Sequence, residues 1–332
     1  MRALNYQDHG LVLERDYPRP TPVEGEALIR VTQAGICNTD LEIVQGYMGF
    51  HGVLGHEFVG VVEEIYGEIT LDQYNALYGK RVVGEINAAC NRYTCYYCRN
   101  GMPTHCPQRT TLGIDKRDGA FADYVQLPIE NLHVVPDTVS DDEAIFVEPL
   151  AANFEILEQV HLRPTETVLV LGDGKMGQLA AQVLALNGEK VIMVGKHKEK
   201  LALASQQGIN TCLLTDPETF ASPFGRRADV VIECTGSEQG LQMALRLVRP
   251  RGTVILKSTV AATSNLHLAP IVIDEIRVQG SRCGPFPPAL QALKRKMVNV
   301  KPLISARYSF DQALEAFEHA KQPGTLKVVL TM

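Results

Sequence analysis

The pattern of apolar and polar positions changes character near residue 143. Before it, from about 25 to 135, apolar residues come in short alternating or β-branched runs: "ALIRVTQAG", "FVGVVEEIYG", "KRVVGEI" and "FADYVQLP". Gly and Pro cut these runs, which predicts strands joined by turns. Beyond it, "DEAIFVEPLAANFEILEQV" repeats its apolar residues at helical spacing. A regular alternation follows. "TVLVLG" predicts a buried strand, "KMGQLAAQVLALNG" a helix closed by Gly188, "KVIMVG" a strand and "KEKLALASQQG" a helix closed by Gly208. "TCLLT", "ADVVIECTG", "GTVILKS" and "IRVQGS" read as further strands, with "SEQGLQMALRLV" a helix. After these, "PPALQALKRKM" and "DQALEAFEHAK" predict helices and "GTLKVVLTM" a last strand.

Strands alternating with helices imply right-handed crossovers and a doubly wound parallel sheet. The expected class is α/β. A β-rich domain covers 1–154, an inserted α/β domain 155–282, and the segment 283–332 returns to the first domain. No repeat or low-complexity linker interrupts this order.

Composition adds limits. Of the 332 residues 45% are hydrophobic and 21% charged, ordinary for a globular chain, and the net charge of −6 argues against general nucleic-acid binding. The start "MRALNYQDHG" has no signal-peptide core, and no apolar stretch is long enough for a bilayer. A cytoplasmic protein is expected, with no nucleic-acid or membrane partner. In a reducing compartment, clustered thiols are metal ligands or catalytic groups more often than disulfides.

The run "VLVLGDGKMGQLAAQ" holds G-x-G-x-x-G at Gly172, Gly174 and Gly177, between a predicted strand and a predicted helix. In that context the glycines allow a tight turn, close approach of a pyrophosphate, and close helix–strand packing, with the helix N-terminus facing the anion. Lys175, Met176, Thr235 and Gly236 are counted with this nucleotide-binding set. An NAD site usually carries an acid at the end of the second strand. Here the strand ends "VIMVGKHKEK": Gly195 takes the acidic position and Lys196, His197 and Lys198 follow. A missing carboxylate and added cations favour NADP over NAD.

Four of the eight cysteines fall in "ACNRYTCYYCRNGMPTHC". Cys90, Cys95, Cys98 and Cys106 have the density of a closed four-thiolate zinc site, which supports folding and does no chemistry. A redox pair at Cys95 and Cys98 lacks a thioredoxin-like setting. A nucleic-acid-binding zinc ribbon, suggested by Tyr93, Tyr96 and Tyr97 among arginines, conflicts with the acidic chain. Upstream, Cys37 lies in "AGICNTDLEIVQG" and His56 and Glu57 in "VLGHEFVGVVEEI"; Glu148 lies in "FVEPLAAN". Cys, His and carboxylate together can hold zinc with one position open, the arrangement of a catalytic zinc.

With G-I-C-N-T-D at 35–40, G-H-E at 55–57, the four-cysteine lobe at 88–108, V-E-P-L-A at 147–151 and G-D-G-K-M-G at 172–177, the chain resembles the zinc-dependent medium-chain dehydrogenases over essentially its whole length. The E-P-L-A element is similar to the sorbitol, threonine and glucose dehydrogenase branch. The resemblance implies a GroES-like catalytic domain at both chain ends and a Rossmann coenzyme domain between them. It implies two zincs per chain, a homodimer or homotetramer, and hydride transfer between a nicotinamide cofactor and an alcohol, polyol or matching carbonyl. Cys37 and His56 would ligate the catalytic zinc, with Glu148 or Glu57 completing the shell. Thr39 would bond the substrate oxygen, and Asp40 would support the ligands.

Two departures from that family stand out. The first gap in the lobe, Cys90 to Cys95, is four residues where two is usual, and Glu42 stands where many relatives carry a proton-relay histidine. Two other functions stay open on sequence grounds: a zinc-free enone or quinone reductase of the same fold, and a non-catalytic nucleotide-sensing zinc protein. The residues lining the pocket loops do not name a substrate.

Overall fold

The structure is a computed structural model; it describes residues 1–21, 23–188, 190–259 and 266–332. The chain forms two units, Met1–Glu148 with Ile304–Met332, and Pro149–Leu303. These divide at 148/149 and 303/304, where sequence reasoning places them at 154/155 and 282/283. A pair of hydrogen bonds shows why the stretch before residue 303 stays with the second unit. Gln182 donates to the Asn299 carbonyl at 3.2 Å, and the Asn299 N–H donates back to Gln182 at 2.8 Å.

In the first unit, the central strand Glu26–Ile36 pairs antiparallel with Glu57–Ile65 on one side and Lys327–Thr331 on the other. Arg81–Gly84 and Leu132–Val134 extend the sheet past Glu57–Ile65, and Ile304–Ser309 extends it past Lys327–Thr331. Ala27, Leu28, Ile29 and Val31 are all buried, and Arg30 between them is exposed. The short helix Asn38–Ile43 begins directly after the central strand, with Cys37 as its N-cap and Asp40 closing a capping box.

The second unit holds six parallel strands in the order Asn210–Leu213, Lys190–Gly195, Thr167–Leu171, Ala228–Glu233, Val248–Leu256, Arg277–Gly280. This is the dinucleotide-fold order, whose switch point lies between Thr167–Leu171 and Ala228–Glu233. The strand Thr167–Leu171 is buried throughout because both faces are covered. Val168 and Val170 pack with Ala180, Leu184 and Met193 on one face; Leu169 and Leu171 pack with Val231, Met243 and Leu247 on the other. At the opposite strand ends Asp229 accepts from the Thr167 N–H at 2.9 Å and hydroxyl at 2.7 Å, and from Arg249 at 2.6 Å. Among the described residues, no helix is long and apolar enough to cross a membrane.

Candidate active site

The helix Asn38–Ile43 and the loop ahead of Glu57–Ile65 bring three donor residues together. One ligand atom each from Cys37, His56 and Glu57 lies within 4.8 Å of the other two. Asp40, fully buried, organises them. It accepts from the Cys37 N–H at 2.8 Å and the Gly55 N–H at 3.3 Å, and its Oδ1 lies 3.2 Å from His56 Nδ1. A carboxylate on one ring nitrogen leaves the other for a metal. Burial works against an imidazolium at His56, but Asp40 and the Cys37 sulfur outweigh it and hold its pKa well above the ordinary value. Soft sulfur, imidazole and carboxylate together suit zinc. Thr39 Oγ1 sits 3.8 Å from Cys37 Sγ, half-buried at the rim of this group.

Glu148 is not part of this group. It is half-buried at the start of the helix Val147–Gln159, so of the two carboxylates only Glu57 stands with Cys37 and His56. Sequence reasoning also missed a residue. Lys327, fully buried on Lys327–Thr331, forms an ion pair with the fully buried Glu57. The two side chains meet over Gly35, where an added Cβ would come within 2.9 Å of Glu57 Oε2 and 3.1 Å of Lys327 Cδ. Lys327 also lies 5.4 Å from the Phe146 ring centre. Burial pushes its ammonium down to about 8, against the pull of Cys37 and Asp40. The signal was a lone charge opening the apolar run "KVVL".

The lobe cysteines form the second donor group. Sulfur separations are 3.8 Å for Cys90–Cys98, 3.9 Å for Cys95–Cys106 and 3.6 Å for Cys90–Cys106. Ligands about 2.3 Å from a tetrahedral zinc stand about 3.8 Å apart, so the group fits one ion. The four-residue gap after Cys90 is absorbed by Asn91, whose φ of 47° turns the backbone.

In the second unit, Gly172, Gly174, Gly195, Lys196, His197 and Thr235 line one cleft at the strand ends. Lys175, Met176, Gly177 and Gly236 lie outside its lining. Gly177 acts through packing: a Cβ there would lie 1.9 Å from the Gly172 carbonyl oxygen. Two expectations change. Lys198 is exposed, and Lys200, the third residue of the helix Lys198–Gln206, lines the cleft instead. The strand end is also not free of carboxylate. Asp173 Oδ2 lies 2.3 Å from where a Cβ on Gly195 would stand, and it accepts the His197 N–H at 2.7 Å. Glu233, buried beside the cleft, accepts from the Thr235 N–H and hydroxyl at 2.8 and 2.6 Å and fixes that turn.

A dinucleotide-type sheet, a closed thiolate lobe and a Cys–His–Glu group define a zinc-dependent dehydrogenase. The alcohol dehydrogenase GroES-like domain family matches residues 23–137 and the zinc-binding dehydrogenase family residues 176–297. The chain is 32% identical to a sorbitol dehydrogenase of Halalkalibacterium halodurans, covering 100% of this chain and 99% of the relative. It is 29% identical to a D-arabitol-phosphate dehydrogenase of Enterococcus avium, covering 95% and 92%. The chain belongs to the zinc-dependent medium-chain dehydrogenases and is an NAD(P)-dependent enzyme of the alcohol dehydrogenase type. Among solved structures, a Sinorhizobium meliloti protein assigned as a zinc-binding dehydrogenase and bound to NADP superposes with TM-score 0.87 at 28% identity, covering 100% of this chain and 99% of that one. An Escherichia coli protein described as a short chain alcohol dehydrogenase, complexed with NADH, gives 0.88 at 27% identity with the same coverage.

Proposed function

We propose that the protein is a zinc-dependent polyol dehydrogenase that prefers NADP, oxidising a secondary alcohol of a sugar alcohol and reducing the matching ketone in reverse. The observation that carries this reading is the convergence of half-buried Cys37 with the buried His56 and Glu57. These three residues would hold the catalytic zinc, and Cys90, Cys95, Cys98 and Cys106 a second, structural one. Zinc in the first site supplies a Lewis acid that lowers the pKa of an alcohol, and the bound nicotinamide supplies the hydride acceptor.

The chain's own residues supply position and charge. Asp40 fixes the Cys37 backbone and the His56 ring. Lys327 balances Glu57, so the buried group is not left with uncompensated negative charge. Thr39 offers the hydroxyl that takes the alcohol proton and passes it outward, the role that general base catalysis requires at this rim. Glu42, half-buried three residues further along the same short helix, would carry that proton on in place of a relay histidine. Lys196 and Lys200 bring two cations to the cleft for a 2′-phosphate. The similarity to sorbitol and arabitol-phosphate dehydrogenases supports polyols as the substrate class.

The test is a panel of sugar alcohols, their phosphates and simple alcohols, followed by nicotinamide absorbance with NADP and with NAD, together with zinc analysis. Two zincs per chain and polyol turnover are expected, with NADP giving the higher kcat/KM. Cys37→Ala and His56→Ala should abolish turnover and keep the circular dichroism spectrum. One zinc per chain with enone reduction would point to a zinc-free reductase instead.

A further inference from the structure

The glycine-rich loop reaches the strand end in an unusual way. Gly195 closes the strand Lys190–Gly195, and an added Cβ would lie 2.3 Å from Oδ2, 2.4 Å from Cβ and 2.6 Å from Cγ of Asp173. A side chain at 195 and the carboxylate of Asp173 therefore compete for one volume. Dinucleotide sites that select NAD place an acid at this strand end, where it accepts the adenosine ribose hydroxyls. Here a carboxylate fills the position, but it comes from the loop. Asp173 is only 6% exposed while lining the cleft.

Its orientation is fixed from one side. The His197 N–H donates to Oδ2 at 2.7 Å, and His197 Nδ1 lies 3.0 Å from Oδ1 and 3.1 Å from Oδ2. A carboxylate accepts about four hydrogen bonds, so acceptor capacity is left for hydroxyl groups in the cleft. The cations stand close by. Lys196 and Lys200 line the same cleft. Gln178, itself buried, donates to the Asp173 carbonyl at 3.3 Å and to the Lys200 carbonyl at 2.8 Å, which ties the acid and the cation to one amide.

We propose that Asp173 lets this site accept NAD as well as NADP, its carboxylate taking the ribose hydroxyls when no 2′-phosphate is present. The lysines serve the phosphate and the aspartate serves the diol, so the two cofactors use different residues of one cleft. This rests on the nicotinamide-cofactor reading above.

The experiment measures NADH and NADPH dissociation constants by nicotinamide fluorescence on wild type and four variants: Asp173→Asn, Asp173→Ala with Gly195→Asp, Lys196→Ala with Lys200→Ala, and His197→Ala. Wild type should bind both cofactors. Asp173→Asn should weaken NADH by about one to two decades, the loss expected for a charge-assisted hydrogen bond, and leave NADPH equal or tighter. Moving the acid back to position 195 should restore NADH. The lysine pair variant should lose NADPH and keep NADH. An equal loss of both cofactors in Asp173→Asn, no loss of NADH, or the same NADH loss in His197→Ala would overturn the assignment, since the carboxylate would then only shape the loop. NADPH binding that ignores the lysines would defeat the NADP preference alone. Wild type binding neither dinucleotide would defeat both.

Discussion

Replacing Lys327 with methionine removes the partner of a buried carboxylate at nearly constant volume. Lys327 and Glu57 are both fully inaccessible to solvent. Water cannot replace the lost ammonium, so Glu57 must either stay charged in an apolar surrounding or take up a proton. Breaking a buried pair from one side costs about 3–5 kcal/mol. For a unit of this size each kcal/mol moves the midpoint by about 2–4 °C, so a fall of at least about 6 °C is expected. Changing both partners, Glu57→Gln with Lys327→Met, removes the uncompensated charge and should recover most of that loss, because a neutral pair of similar shape is often as stable as the ion pair. Zinc gives the prediction a second handle. A metal held by Cys37, His56 and Glu57 compensates the carboxylate itself, so the penalty of Lys327→Met should be larger in chelator than with zinc present. Denaturant unfolding of wild type, both single variants and the double variant, each with chelator and with zinc, measures all of this as a double-mutant cycle. If Lys327→Met unfolds within about 1 kcal/mol of wild type in chelator, or the double variant is no better than the single, the ion pair does not carry the charge balance argued here.

The lobe and the strand ends of the second unit give two further expectations. Cys95→Ser should lose one zinc equivalent and several degrees of thermal stability while the second unit keeps its dinucleotide affinity, as checked by metal analysis, thermal melts and NADPH binding; unchanged zinc content would refute the four-thiolate reading. Burial alone would raise the Asp229 carboxyl, but Arg249, Thr167 and Arg226 outweigh it and hold the group well below the usual carboxylate range. The stability it contributes is present above about pH 4 and is lost as pH falls further, so Asp229→Asn should cost about 2–3 kcal/mol at neutral pH and show a flatter melting profile below pH 4.

The features that could be read from the chain are those whose partners lie close in sequence. Gly172, Gly174 and Gly177 share one turn, the four lobe cysteines fall within a single loop region, and the strand–helix alternation fixes the parallel sheet through local periodicity. What could not be read depends on distant pairing. Lys327 looks like an ordinary strand residue until the sheet register places Lys327–Thr331 against Glu26–Ile36 and lets it reach over Gly35. Asp173 occupies a position that the glycine pattern leaves free, and nothing local says that its side chain will fill the strand end at Gly195. Lys200 rather than Lys198 faces the cleft because helical phase, not nearness to the strand, sets direction. The contact-based edge of the first unit differs from the expected 154/155 because the helix Val147–Gln159 runs across it without a break in its apolar pattern.

The Glu57–Lys327 contact also sets an order of events during synthesis. The second unit is one continuous stretch, so it can fold as soon as residues 149–303 have left the ribosome. The first unit cannot, because its sheet still lacks Ile304–Ser309 and Lys327–Thr331, and Glu57 has no countercharge. A nascent chain can thus hold a finished nucleotide fold beside an unfinished metal pocket. The buried countercharge of Glu57 is therefore among the last parts of the first unit to be made, at a point where the cofactor fold can already be in place.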